Sequence, residues 1–243
     1  MLAKPICISL LLAVVLTTGA SLALAAEKRE SLIPFDRLDA AAQARVRQVV
    51  PGYTLYRNIR MPKPTLHARY DIFEYLISHL GQSSIVAQLL KIADYRRERQ
   101  PDGSYFADTR KGTAGYLWPL RVVPGERLYF GEGADKEAAP QSGRAILLFR
   151  YRELQPGVLK CELHGFVKVD GMMERICAFL FRLFITGAVD RHLLEVVDAP
   201  MRVAEEATAH PAKVLKLMDS MPPEDAAKLK EFRALLARPE PKS

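Results

Sequence analysis

The chain is poor in cysteine: three residues in 243, of which Cys7 lies in an N-terminal apolar run. Two remaining thiols, Cys161 and Cys177, cannot build the disulfide framework of a small secreted scaffold, so the fold must rest on an apolar core. Histidine is scarce too, limited to His67, His79, His164, His192 and His210. None sits in an H-E-x-x-H pattern or at zinc-site spacing from a cysteine, so no motif marks a metal site and only one assembled from scattered residues is left open. G-x-S-x-G and a phosphate-cradling glycine loop are absent, which removes the common signatures of a serine nucleophile and of nucleotide binding. There is no internal repeat, and no cofactor motif.

Dense basic runs are missing as well. The net charge is +7, but it is dispersed, with "YRRERQ" (Tyr95–Gln100) and "FRYRE" (Phe149–Glu153) as its densest places. Such dispersal does not make a nucleic-acid patch. It fits a solvated face, or a mild attraction to anionic lipid headgroups with transient contact at a membrane surface.

What is present begins with "MLAKPICISLLLAVVLTTGASLALAA". Lys4, the apolar run from Ile6 to Leu16 and Ala23-Leu24-Ala25 have the order of a signal peptide over residues 1–26, cleaved after Ala25 or Ala26. The alternative is an uncleaved anchor. Cys7 lies inside the apolar run, so lipid modification of an N-terminal cysteine is not indicated. The expectation is an exported protein, periplasmic or secreted.

Residues 27–52 read as a helical extension, with Asp36 as N-cap, Leu38, Ala42, Val46 and Val49 on one face, and Pro51-Gly52 as the stop. A strand follows over Tyr53–Met61. Two short helices come next, the first capped by Asp71 and ended by Gly81, the second starting at Ser83 or Ser84. From Tyr95 to Val169 the apolar period is two, with turns at Pro101-Asp102-Gly103, Pro124-Gly125 and Gln155-Pro156-Gly157. Six strands joined by short turns predict an antiparallel meander.

Alternation predicts faces. Tyr116, Trp118 and Leu120 share a side with Leu128 and Phe130, and Leu147, Phe149 and Tyr151 with Cys161 and Leu163. All are assigned to one covered, aromatic face opposed by a charged one bearing Arg144, Arg150, Arg152, Lys160 and Glu162. His164 falls on the solvent side by parity, as do Asp108 and Arg110.

"GMMERICAFLFRLFITGAVD" (Gly171–Asp190) is split by Glu174, Arg175 and Arg182, so it is too interrupted for the roughly 20 apolar residues of a membrane span. As a helix it is apolar over most of its circumference, and the expectation is that it lies on the apolar face of the sheet. That placement keeps Cys161, about 26 Å back along its strand, far from Cys177, beyond the roughly 7 Å limit for bridging. Two free buried thiols are predicted. Helix breaks are expected near Pro200 and Pro211, with further helices to the charged tail.

This order of strand, two short helices, six antiparallel strands and a long helix resembles the helix-grip fold of the START-like (SRPBCC) superfamily over about Tyr53 to Val197. The resemblance implies an α+β domain over 53–198, a curved antiparallel sheet wrapped around a long C-terminal helix. Helical additions at 27–52 and 199–243 flank it. It further implies an apolar cavity lined by Tyr105, Tyr116, Trp118, Phe130, Phe149, Tyr151, Leu163, Met173, Leu180 and Phe184. The function expected on that basis is a binder or carrier of a lipid-like hydrophobic small molecule, with no catalytic residue assigned. A cyclase- or dehydratase-like enzyme and an interaction protein with a filled core are the alternatives.

Overall fold

The computed structural model describes residues 27–59, 61, 63, 65–108, 113–135, 142–169 and 186–238. The expected signal peptide, Arg110, Cys177, Met173, Leu180 and Phe184 lie outside these residues.

Chain contacts divide the protein into Met1–Gln43 and Ala44–Ser243. A 3-10 turn, Phe35–Arg37, in the first unit precedes helix α1 (Ala40–Val49), whose residues from Ala44 onward belong to the second. Asp39, not Asp36, caps that helix: its Oδ1 accepts the Ala42 N–H at 2.8 Å, while Asp36 is spent inside the turn. The Gln43 side chain ties the turn down by donating to the Leu38 carbonyl at 3.1 Å. Leu38, Ala42, Val46 and Val49 are buried, as helical spacing predicts.

The second unit is α+β. Its elements are β1 (Leu55–Ile59), β2 (Leu66–His67), α2 (Tyr70–Ser78), α3 (Leu80–Leu89), β3 (Arg96–Arg99), β4 (Tyr105–Asp108), β5 (Thr113–Val123), β6 (Glu126–Asp135), β7 (Ser142–Gln155) and β8 (Val158–Val169). Then come α4 (Thr186–Ala209), α5 (Pro211–Asp219), α6 (Pro223–Lys228) and α7 (Lys230–Leu236). The strands form one curved antiparallel sheet in the order β1-β8-β7-β6-β5-β4-β3, with β2 also on β8. Three tight turns fall where the sequence places them. Gly125 and Gly157 hold φ of 77° and 74°, a region that β-carbons disfavour.

Local punctuation differs in three places. The break between α2 and α3 is at His79, whose ring stacks on Tyr75 at 4.2 Å, and Gly81 lies inside α3. A Cβ on Gly81 would meet the Arg97 carbonyl at 3.5 Å, an ordinary contact, so this glycine marks neither a helix end nor a forced close approach. Asp71 sits in the first turn of α2, gripping the Arg69 guanidinium instead of capping from outside. Helix α4 runs straight through Pro200 and stops only before Pro211. An interior proline costs about 3 kcal/mol. Burial of Val197, Met201, Val203, Ala204 and Ala207 along the same helix offsets it.

Register corrects the face assignment. Tyr105, Leu117, Tyr129, Leu147, Phe149, Tyr151 and Leu163 lie on one side, continuous with the apolar residues of α2, α3 and α4. Trp118, Phe130, Ile146 and Phe166 form a cross-strand row on the opposite side, beside Leu128, Leu148 and His164. Tyr116, Trp118 and Phe130 therefore do not share a face with Phe149 and Tyr151. The side expected to be charged is apolar at its centre: Ile146, Leu148 and Phe166 have no accessible surface. The cations of β7 and β8 mark the row ends only. The C-terminal part of α1 covers this side, with the Arg45 guanidinium 4.3 Å from the Trp118 ring centroid and 5.2 Å from that of Phe130.

The main described contacts of α4 are with α2, α3, α5, β1 and β2. Most of Gly171–Asp190, the expected grip helix, lies outside the described residues.

Candidate functional site

Helical spacing aligns Asp198, Met201, Arg202, Glu205, Glu206 and Ala209 along one stripe of α4. Facing that stripe are Leu66 and His67 of β2, Lys63 before it, and Leu90 and Ile92 after α3. Between them opens a groove of about 630 Å³, bounded at one end by Lys213 of α5. Its floor is apolar, made by Leu66, Leu90, Ile92, Met201 and Ala209. Ion pairs form its rim: Lys63–Glu205 at 2.7 Å, Lys213–Glu206 at 2.6 Å and Arg202–Asp198 at 3.9 Å. The Lys213 hydrogen bond holds the Glu206 carboxyl below its ordinary range. These pairs are half-exposed, so each contributes little to stability. They leave both signs of charge at the mouth.

A second polar constellation sits beneath α2. The Arg127 side chain of β6 is 1% exposed, and its guanidinium bonds to the Glu74 carboxylate, to Ser78 Oγ at 2.7 Å and to the Val123 and Glu126 carbonyls. Glu74 also accepts the Tyr151 hydroxyl, and burial together with the nearby Glu74 carboxylate raises the pKa of Tyr70. Burial, and then the bond to Glu74, push the Tyr151 hydroxyl well above the usual phenol range. Neutral phenol and buried ion pair together lock α2 to the sheet.

The residues expected to line a cavity are distributed over the molecule. Phe149 and Leu163 have no accessible surface, and Tyr105 and Tyr151 almost none. Phe149 packs on Phe73 and Tyr151 at ring distances of 6.1 and 5.4 Å. Phe130 is buried on the other side of the sheet. Trp118 stands beside it, donating Nε1–H to Asp102 at 3.2 Å, and Tyr116 is 45% exposed. Met173, Leu180 and Phe184 lie outside the described residues. None of the seven described residues lines the groove. Cys161 is free and buried, its thiol pushed up to about 12 by burial.

His164, expected at the surface, is buried with its Nδ1 3.0 Å from the Tyr56 hydroxyl. The strand β1 that carries Tyr56 pairs with β8 and covers the histidine. Burial, then Arg150, depress its pKa, with Glu162 opposing. The unfolded chain therefore binds a proton more readily than the native one, so stability should fall as pH drops below about 6.5 and level off below the native pKa. His164→Gln should flatten that part of a urea-midpoint profile, and an unchanged slope would disprove the assignment.

No family model matches this chain, and no curated protein does. Among solved structures it is similar to a conserved protein of Geobacillus kaustophilus, at TM-score 0.43 and 15% identity over 58% of this chain and 92% of that one. It is also similar to the di-domain ARO/CYC StfQ of the steffimycin biosynthetic pathway, at TM-score 0.30 and 14% identity, covering 65% of this chain and 47% of that one. A dicamba monooxygenase bound to dicamba gives TM-score 0.33 and 14% identity, covering 84% and 63%. At these scores no family is identified.

The site is therefore judged on its own chemistry. The groove can take apolar surface out of water on its floor and pair charge at its rim. Sequence reasoning passed over it because Lys63, Glu205, Glu206 and Lys213 look individually like ordinary surface residues. The available signal was the mixed stripe of α4, in which acids recur beside Met201 and Ala209 at helical spacing.

Proposed function

We propose that this protein is an exported binder or carrier of a lipid-like hydrophobic small molecule, and that the groove between α4 and β2 is where the apolar part of that molecule lies. One observation carries the reading: an apolar floor and a charged rim enclose about 630 Å³, within the roughly 300–1,000 Å³ of small-molecule sites. Mixed rim charges suit a polar end, and Met201 gives the floor an adaptable side chain. Helix-grip architecture, with further lining from Met173, Leu180 and Phe184, is the wider form of the same proposal.

Burying a methylene is worth about 0.8 kcal/mol. Binding of single-chain amphiphiles should then strengthen by up to about fourfold per added methylene. Native mass spectrometry of the purified protein should show a retained apolar molecule. Ala209→Trp, at an exposed floor position, should expel it without lowering the melting temperature. A lipid-free preparation that ignores titrated amphiphiles would refute the proposal. That result would favour an interaction protein with a filled core, a reading supported by the inaccessible Phe73, Phe149 and Leu163.

A further inference from the structure

The tip of the β7–β8 hairpin has a composition that the sheet itself does not require. On the side of Ile146 and Leu148, the rows approaching the turn read Glu126–Arg150–Glu162 and then Arg152–Lys160. Glu126 is shared by Arg121 at 3.1 Å and Arg150 at 2.9 Å, and Glu162 holds Lys160 at 2.8 Å. The last row pairs two cations directly across the strands. Like charges directly opposite are unfavourable, and here Glu162 offsets part of that repulsion through its pair with Lys160. The Glu153 carboxylate turns back to accept the Gly157 N–H at 3.0 Å. Immediately beyond stands Leu154, 48% exposed, with Gln155 and Pro156 also exposed at the turn.

Two cations around an exposed leucine at a hairpin turn match one surface in particular. We propose that this tip docks on a bilayer containing anionic lipid, with Arg152 and Lys160 meeting headgroup phosphates while Leu154 enters the boundary with the acyl chains. A soluble anion would use the charges but leave the leucine in water. A neutral bilayer would take the leucine but offer Arg152 and Lys160 no excess of anionic headgroups. The proposal stands apart from the groove, which is formed by other elements.

The test is co-sedimentation of the full chain with phosphatidylcholine vesicles, with and without phosphatidylglycerol. The N-terminal apolar run is common to every variant, so differences between variants report on the hairpin. Wild-type protein should prefer the anionic vesicles, and added salt should weaken that preference. Arg152→Glu/Lys160→Glu should bind them about thirtyfold less tightly, from about 1 kcal/mol for each basic residue near the surface. Leu154→Ser should weaken binding several-fold while preserving the salt dependence. Both changes fall on the solvent side of the hairpin, and an unchanged melting temperature checks that the fold is intact. Equal binding to neutral vesicles, or no effect of the charge reversal, would overturn the proposal. So would capture of polyglutamate through the same residues without vesicle binding, which would assign the tip to an acidic protein.

Discussion

Glu74→Ala is expected to destabilise the fold by about 3–5 kcal/mol, seen as a large drop in the urea midpoint. The reason lies in what the substitution leaves behind. Arg127 is 1% exposed on its side chain, and its Nε already lacks a hydrogen-bond partner among the described residues. Without Glu74 the guanidinium keeps Ser78 and two backbone carbonyls but loses its counter-charge, and the Tyr151 hydroxyl loses its acceptor. Arginine cannot shed its proton to escape, as a buried carboxyl or lysine can. The opposite truncation should be milder, because the Glu74 side chain is 26% exposed and water can reach it. Arg127→Met is therefore expected to cost less than Glu74→Ala, and the double variant Glu74→Leu/Arg127→Met less than either. A midpoint unmoved by Glu74→Ala would show that the pair is not the clamp between α2 and β6. The reverse order of the two single variants would show that water reaches Arg127 instead.

That pair was not legible beforehand. Glu74 stands in "YDIFEYLIS" like any helix-surface acid, and Arg127 in "ERLYF" like any strand cation. Their meeting is set by how α2 lies across the sheet, which local pattern does not encode. The strands and their turns were legible because alternation and Pro-Gly dipeptides act within a few residues. The pairing of β1 with β8, Leu55 opposite Val167, is non-local, and no turn announces it. Burial on both sides of the sheet was hidden for a related reason. Arg144 and Arg150 flank Ile146 and Leu148 on the same parity, so charges at the row ends concealed two fully buried residues between them. The same error exposed His164 on paper, since its neighbours Glu162 and Lys168 are polar while β1 covers only the middle of the strand. Helix α4 shows the converse: Pro200 gives a correct local signal that the packing of its neighbours overrides.

The contrast between Phe149→Ala and Tyr116→Ala measures the face assignment directly. A single aromatic wall would make the two changes comparable. The register separates them. Phe149 has no accessible surface and packs on Phe73 and Tyr151, opposite Leu163, so truncation deletes a buried ring and leaves a cavity among side chains that cannot collapse onto it. The expected cost is about 3–5 kcal/mol. Tyr116 is 45% exposed near the sheet edge, touching Phe106 at 5.3 Å and Trp118 at 5.6 Å, and its truncation should cost about 1 kcal/mol or less. Ligand measurements add a second axis. Phe149 borders no part of the groove, so Phe149→Ala should lower the urea midpoint while leaving amphiphile affinity of the folded protein unchanged. A Phe149→Ala protein of near wild-type stability and altered ligand affinity would place that ring in the wall of a ligand cavity, and would move the binding site from the groove to the inner face of the sheet.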